Sequence, residues 1–231
     1  ILKGLFKKIV IADTLAEWVD IVFSNYADKS SFALISGAIF FSFQIYCDFS
    51  GYSLIAKGVA QLFGFDIMDN FNRPFLATNI NDYWNRWHIS LSSWFRDYVY
   101  IPLFSRIDDD DIIDETMNYK IKGIFFTVIT FLISGFWHGA NWTFLFWGFL
   151  HASFYLPYFL INKSFDFRIS ILNNINRVFL FIFVTIAFIF FRSESINDGI
   201  KFLLLIIENL FLSSSRLEDF IGLGPFQYLI N

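Results

Sequence analysis

The chain has 231 residues, of which 56% are hydrophobic, 22% aromatic and only 16% charged, and its formal net charge is −4. Soluble domains carry about 25% charged residues, so this composition disfavours a soluble globular enzyme, a disordered region and a nucleic-acid-binding protein. A mean hydropathy of +0.53 and 34 phenylalanines are instead typical of a membrane protein with several spans.

Charge-free apolar stretches divide the chain into candidate membrane segments, because a spanning helix needs about 20 mostly apolar residues. In chain order, the predicted segments are an amphipathic or marginal span at 5–22, a span at 30–54, a helical hairpin at 123–138 and 142–161, a short span at 178–191 and a short or tilted segment at 200–212. The sequence therefore predicts an all-α fold, a polytopic transmembrane helical bundle with short amphipathic or re-entrant helices.

A single membrane domain is expected over residues 1–231. The first residue is Ile1 rather than Met, and the opening residues do not form a secretory signal with a cleavage site. We expect an N-terminal part of the full protein to be missing. The net negative charge comes from one acidic run at 108–115, which is typical of a solvated loop.

The segment 83–104 differs from the predicted spans. Its apolar residues recur at helical spacing, and polar residues occupy another face. The apolar positions are Trp84, His88, Leu91, Phe95 and Tyr98, and the polar ones are Arg86, Ser90, Ser93 and Asp97. This pattern predicts one amphipathic helix that lies against the bundle or re-enters it.

Polar groups inside lipid are costly, so each predicted intramembrane polar residue is a candidate for function. His138 lies about 24 Å along a helix that starts at Lys122, at 1.5 Å per residue, and Gly135 and Gly139 flank it. One interpretation is a histidine that hydrogen-bonds a neighbouring helix among packed aromatics. The other is a general base, since a lipid-shielded imidazole stays neutral near pH 7.

The remaining candidates have weaker patterns. His88 alone is typical of an interfacial histidine, and His151 of a packing or orienting residue. Asp48 follows Gln44 and precedes Tyr52 at i, i+4, i+8 spacing, so we expect a buried carboxylate that needs a partner. It would orient a histidine or brace the bundle, and bracing is favoured.

Metal binding is not predicted. The three histidines are dispersed, and the single cysteine, Cys47, can supply neither a Cys-based metal motif nor an internal disulfide.

Four motifs in the same order resemble the membrane-bound O-acyltransferase (MBOAT) family, and the match covers about residues 4–155. They are the stretch 43–53 (Phe-Gln-Ile-Tyr-Cys-Asp-Phe-Ser-Gly-Tyr-Ser), 70–75 (Asn-Phe-Asn-Arg-Pro-Phe), 87–98 with Trp-His-Ile-Ser-Leu-Ser and Trp-Phe-Arg-Asp-Tyr, and 136–142 (Phe-Trp-His-Gly-Ala-Asn-Trp). The residues of these motifs are most similar to those of the bacterial branch for alginate O-acetylation, and next to those of the branch for teichoic-acid D-alanylation. One departure is Phe104-Ser105-Arg106, where the branch usually has a Gly-Gly turn.

The resemblance implies an enzyme that transfers an acyl group from a thioester donor to hydroxyls. It implies an acetyl group, acetyl-CoA as co-substrate, no tightly bound cofactor, and a multi-pass protein of a bacterial inner membrane. The expected partners are membrane lipid, an exported polysaccharide acceptor and an extracytoplasmic acyltransferase, and no nucleic acid. Alternatives are a D-alanyl or lipid acyl transferase of the same family, and a non-catalytic transporter-like membrane protein.

The resemblance also implies roles for individual residues. His138 matches the active-site histidine and is expected to act as general base, while His88 would orient a substrate or stabilise developing charge. Four further residues are predicted to bind substrate or support the site: Asp48, Arg86, Trp137 and Asn141.

Overall fold

The computed structural model describes residues 1–105, 115–160 and 170–212, and this part of the chain is helical, with no strand. Its α-helices are α1 (Leu2–Leu5), α2 (Asp13–Ser24), α3 (Ser31–Leu62), α4 (Ile80–Trp84), α5 (Ile89–Phe95), α6 (Ile101–Ser105), α7 (Glu115–His138), α8 (Trp142–Leu160), α9 (Ser170–Arg192) and α10 (Ile196–Leu212). The segments Phe6–Ala12 and Arg96–Tyr100 are π-helical, and Tyr26–Asp28 and Pro74–Leu76 are short 3₁₀ turns. All but the last position of the acidic run lies outside the described residues.

Within the described part of the chain, three helices are long and apolar enough to cross a membrane: α3, the part of α7 from Lys120 to His138, and the part of α9 from Asn173 to Arg192. The parts of α7 and α9 contain the predicted spans 123–138 and 178–191, and α3 covers the predicted span 30–54 except its first residue. A helix satisfies its own backbone hydrogen bonds, which is why such apolar runs are helical in lipid. The prediction of an all-α membrane protein with several spans is confirmed, and α8 and α10 confirm the other two helices predicted after residue 140.

One compact unit contains, of the described residues, 1–68 and 184–212. Its hydrophobic core draws side chains from α2, α3, α9 and α10. The buried members are Val22, Leu34, Ala38, Ile189 and Phe202. Two stacked rings reinforce this core, since the Phe23 ring lies 4.7 Å from that of Phe202.

The opening helix packs closely against α3 in the same unit. A Cβ added at Gly4 would lie 2.6 Å from the main-chain oxygen of Gly51, and one added at Gly51 would lie 2.8 Å from that of Gly4. Because both contacts are to backbone, only glycine permits this approach. The predicted segment 5–22 is thus helical and docks along α3.

The second compact unit runs from Asp69 to Phe183 and contains the α7–α8 hairpin. A Cβ at Gly135 would lie 2.3 Å from the main-chain oxygen of Phe144, and one at Gly148 would lie 2.3 Å from that of Phe131. Two glycines, one on each arm, therefore let the two helix backbones touch. This contact fixes the end of α7, where His138 lies.

The prediction of one helix over 83–104 is wrong. α4 ends at Trp84 and α5 begins at Ile89, and between them His88 has a positive φ of 42°. The amide of Ile89 donates to the carbonyl oxygen of Asn70, 3.0 Å away, instead of continuing the helical ladder. The apolar residues do recur at helical spacing. The helix is nevertheless interrupted, because Asn70, which is distant in the sequence, accepts a hydrogen bond from the backbone at this point.

Candidate active site

His88 lies in the turn between α4 and α5, in a backbone conformation that few residues other than glycine adopt. Such a conformation costs about 1–3 kcal/mol and persists only where the surroundings impose it. Asn70 imposes it here. Its main-chain oxygen accepts from Ile89, and its side-chain Oδ1 accepts from the Ser90 amide at 3.1 Å and from the Ser90 hydroxyl at 3.0 Å.

Arg86 holds the other side of the same turn. Its Nε donates to Asp82 Oδ1 at 2.6 Å, and its Nη1 donates to the carbonyl oxygen of Asn72 at 3.4 Å. The amide of Asn72 returns a bond of 2.9 Å to the carbonyl oxygen of Arg86. These bonds hold the guanidinium against the turn, and the expected role of Arg86 in binding substrate or supporting the site stays a prediction.

Trp87, which directly precedes His88, is buried and holds the turn in place through its contacts with other aromatic rings. Its indole is 6% exposed and stacks on Tyr83 at 5.6 Å. Phe71 meets it edge-on at 5.1 Å, and Phe75 lies 6.1 Å away. The aromatic residues of the motif at 70–75 therefore pack against the tryptophan of the motif at 87–98, which gives a physical reason for two motifs that are separate in the sequence.

His138 is the last residue of α7, and aromatic rings surround it. Its imidazole centroid lies 5.0 Å from that of Trp137, 5.2 Å from that of Trp147 and 6.3 Å from that of Phe144. The Trp137 indole is also 6.2 Å from the His88 ring. The structure thus brings both predicted catalytic histidines into one aromatic cluster.

Burial and, to a smaller extent, repulsion from the positive charge of a protonated His138 together lower the pKa of His88 to about 4. His88 is therefore a neutral imidazole near pH 7. In this state it can accept a hydrogen bond at one nitrogen and donate one from the other. A neutral donor of this kind can contact an oxygen on which negative charge develops.

The turn after His138 places the remaining predicted residues of the last motif. Asn141 caps α8, since its Oδ1 accepts from the amide of Thr143 at 3.1 Å. Trp137 has 58% of its surface exposed, so its indole can meet a substrate or lipid while it contacts both histidines. Trp137 therefore contacts both histidines and Asn141 caps a helix, and the expected roles of both residues toward substrate stay predictions.

Asp48 does not have the predicted burial beside Gln44 and Tyr52. Its side chain is 48% exposed and forms an ion pair with Lys8, while Tyr52 is an exposed residue. The spacing along α3 could not reveal that the opening helix docks there through Gly4. Asp48 therefore pairs with Lys8 rather than with a residue of α3, which is compatible with the favoured bracing interpretation. A role of Asp48 toward substrate stays a prediction.

Little in the sequence indicates how deeply His151 is buried in the fold. It is 0% exposed, and the rings of several aromatic residues surround its imidazole. They are Tyr83, Trp84, Phe131, Trp147 and Phe183, with centroids between 4.7 and 6.3 Å from it. A packing position is thus confirmed, and the indole of Trp147 contacts both His151 and His138.

Comparison with known proteins shows which family this sequence is similar to. The sequence model of the membrane-bound O-acyltransferase family matches residues 1–197. The chain is 37% identical over 203 residues to a peptidoglycan O-acetyltransferase of Helicobacter pylori, a match that covers 87% of this chain and 36% of that protein. It is 35% identical over 198 residues to a probable alginate O-acetylase of Azotobacter vinelandii, covering 85% of this chain and 37% of that protein.

A third relative comes from the other branch that the motifs indicated. The chain is 38% identical over 112 residues to a teichoic acid D-alanyltransferase of Bacillus subtilis, covering 48% of this chain and 28% of that protein. The chain thus spans about a third of the length of the O-acetylating relatives that it matches.

Proposed function

Because the chain belongs to the membrane-bound O-acyltransferase family, we propose that it carries the active site of a bacterial membrane enzyme that O-acylates an exported polysaccharide. The acyl group is acetyl, the donor is a thioester such as acetyl-CoA, and no cofactor stays bound. The enzyme is a multi-pass protein of the inner membrane. It acylates the polysaccharide directly or through an extracytoplasmic acyltransferase. The names of the O-acetylating relatives support this substrate class.

The observation that carries the proposal is the meeting of His88 and His138 at the indole of Trp137. His138 acts as general base and takes the proton of the acceptor hydroxyl. The hydroxyl oxygen then forms a bond to the thioester carbonyl carbon, the carbon–sulfur bond breaks, and His138 returns the proton to the leaving thiolate. In these reaction steps the atoms, the charge and the protons balance without a metal ion or a redox partner.

His88 has the complementary role in this proposal. As a neutral imidazole it donates a hydrogen bond to the carbonyl oxygen, on which charge develops while the carbon is tetrahedral. The clamp of Asn70 on the turn fixes the backbone that carries His88. Trp137 forms the apolar wall of the site, and Arg86 and Asn141 hold the turns on either side. Asp48 supports the fold through Lys8.

D-alanyl transfer is the second candidate, because the match to the Bacillus subtilis protein runs through 112 residues of this chain. The same histidine chemistry would serve it, with a D-alanyl thioester as the donor. A transporter-like protein would hold the same fold but consume no thioester.

Donor competition decides between these functions. Membranes containing the complete gene product are incubated with the polysaccharide acceptor and either labelled acetyl-CoA or a D-alanyl carrier-protein thioester. We expect label to pass from acetyl-CoA to acceptor or partner, with release of one thiol for each ester formed. Transfer from the D-alanyl thioester alone would establish the second candidate, and absence of thioester consumption with both donors would contradict an enzymatic role.

A further inference from the structure

Four polar atoms around His151 are buried without a hydrogen-bond partner among the described residues. They are Nδ1 and Nε2 of His151, Oη of Tyr83 and Nε1 of Trp84. His151 is 0% exposed and Tyr83 is 1% exposed. Buried polar atoms in folded proteins nearly always have a protein or water partner, so this concentration around one imidazole indicates a bound polar ligand.

The rings of the three polar side chains lie within 6.3 Å of one another, centroid to centroid. The His151 imidazole lies 6.3 Å from Tyr83, at an interplanar angle of 14°, and 6.1 Å from Phe131, at 17°. The Trp84 indole meets it at 5.1 Å and 75°. Two rings thus lie near His151 in nearly parallel planes, and a polar indole lies at a steep angle to it.

We propose that His151, Tyr83 and Trp84 bind an internal water molecule, and that His151 is a positioning residue for acyl transfer. Water fits this site because an enclosed water needs two to four polar partners. Trp84 Nε1 can only donate, the neutral imidazole offers one donor and one acceptor, and the tyrosine hydroxyl can do either. An acyl donor that exchanges at every turnover is too large for a position enclosed by aromatic side chains.

The positioning role acts through Trp147 and rests on the proposed function. The Trp147 indole lies 4.7 Å from the His151 ring and 5.2 Å from the His138 ring, so one side chain contacts both. Hydrogen bonds to the water fix the orientation of the His151 ring. The Trp147 indole, which packs against this ring, is then held in place as well. The other contact of the indole then holds the imidazole of His138 at the substrate.

Removal of one oxygen tests the water site without any assay of activity. Tyr83→Phe in the complete protein should lower the melting temperature in detergent by about 2–4 °C, the shift that loss of one hydrogen bond causes in a domain of this size. Tyr26→Phe is the matched control, because the Tyr26 hydroxyl donates to Asp198 at 2.8 Å. If Tyr83→Phe melts at or above the parent temperature while Tyr26→Phe melts lower, no water is bound and the proposal is overturned.

A pair of His151 variants of similar size tests the positioning role. His151→Gln keeps a donor and an acceptor, whereas His151→Leu keeps neither. We expect His151→Leu to lower kcat by about ten- to a hundredfold, as for a displaced catalytic group, with KM for the thioester unchanged, and His151→Gln to recover most of the loss. Parent-like kcat in His151→Leu would overturn the positioning role. Absence of transfer in the parent would refute the proposed function instead, and the melting measurements would still decide the water site.

Discussion

The indole of Trp137 lies 6.2 Å from the imidazole of His88, centroid to centroid, although Trp137 belongs to α7 and His88 to the turn between α4 and α5. Trp137 directly precedes His138, whose ring lies 5.0 Å from the same indole. The contact therefore joins the turn at the start of α5 to the end of α7. The two histidines that the sequence places in separate motifs share one local environment.

The clamp on the His88 turn can be tested at Asn70. Asn70→Ala removes the oxygen that accepts from Ser90 twice, and we expect acyl transfer to fall by about ten- to a hundredfold because His88 loses its fixed backbone. Asn70→Asp keeps that oxygen and should retain most of the activity. Parent-like transfer rates in the alanine variant would show that the clamp does not position His88.

The pH dependence of stability follows from the low pKa of His88. An unfolded histidine gains its proton near pH 6.5, whereas burial keeps the folded His88 neutral down to about pH 4. Between these values the unfolded chain binds more protons, so this contribution to stability is complete above pH 6.5 and is lost as the pH falls toward 4. Melting temperatures from pH 7 to 4.5 should fall less steeply in His88→Gln than in the parent. Equal slopes would contradict the assigned environment of His88.

The ion pair between Lys8 and Asp48 is expected to stabilise the fold only slightly. Both side chains are nearly half exposed, and exposed ion pairs contribute about 0.2–1 kcal/mol. A double-mutant cycle with Lys8→Met and Asp48→Asn should give a coupling free energy in this range, with acyl transfer retained in each variant. A stable Asp48→Asn protein without activity would instead give Asp48 a direct part in the reaction.

The close contact of the hairpin predicts a strong effect of a single methyl group. Gly135→Ala places its Cβ against the main-chain oxygen of Phe144, which cannot move without separating the helices, and such overpacking costs about 1–3 kcal/mol. Gly148→Ala, which meets the oxygen of Phe131 on the same interface, should cost a similar amount. Melting temperatures in detergent equal to that of the parent would show that the arms do not touch there.

The spans were predictable because length and apolarity alone determine them. The stretch 123–138 has no charged residue, and nothing in the fold competes with a helix there. The hairpin break at Gly139 was predictable for a similar reason, since Gly139 and Asn141 are local signals for the end of one helix and the start of the next. Local signals of this kind need no knowledge of the rest of the molecule.

Features that depend on contacts between distant residues were not predictable from spacing. The break at His88 requires Asn70 to accept from Ile89 and Ser90, and helical periodicity through 83–104 conceals it. The burial of His151 against Tyr83 and Trp84 likewise depends on how α4 packs against α8. In each case the sequence contains the residues, but only the fold shows which of them meet.

The most direct test of the proposed mechanism is the acyl-transfer rate of His138→Ala in the complete protein, measured with acetyl-CoA and the polysaccharide acceptor beside its melting temperature and donor binding. A positioned general base contributes about 10²–10⁴-fold, so we predict a loss of that size in kcat, with melting and thioester binding close to those of the parent. His88→Ala, measured in parallel, should show a smaller loss if it only stabilises charge. A His138→Ala enzyme that transfers the acyl group at the parent rate would contradict the mechanism.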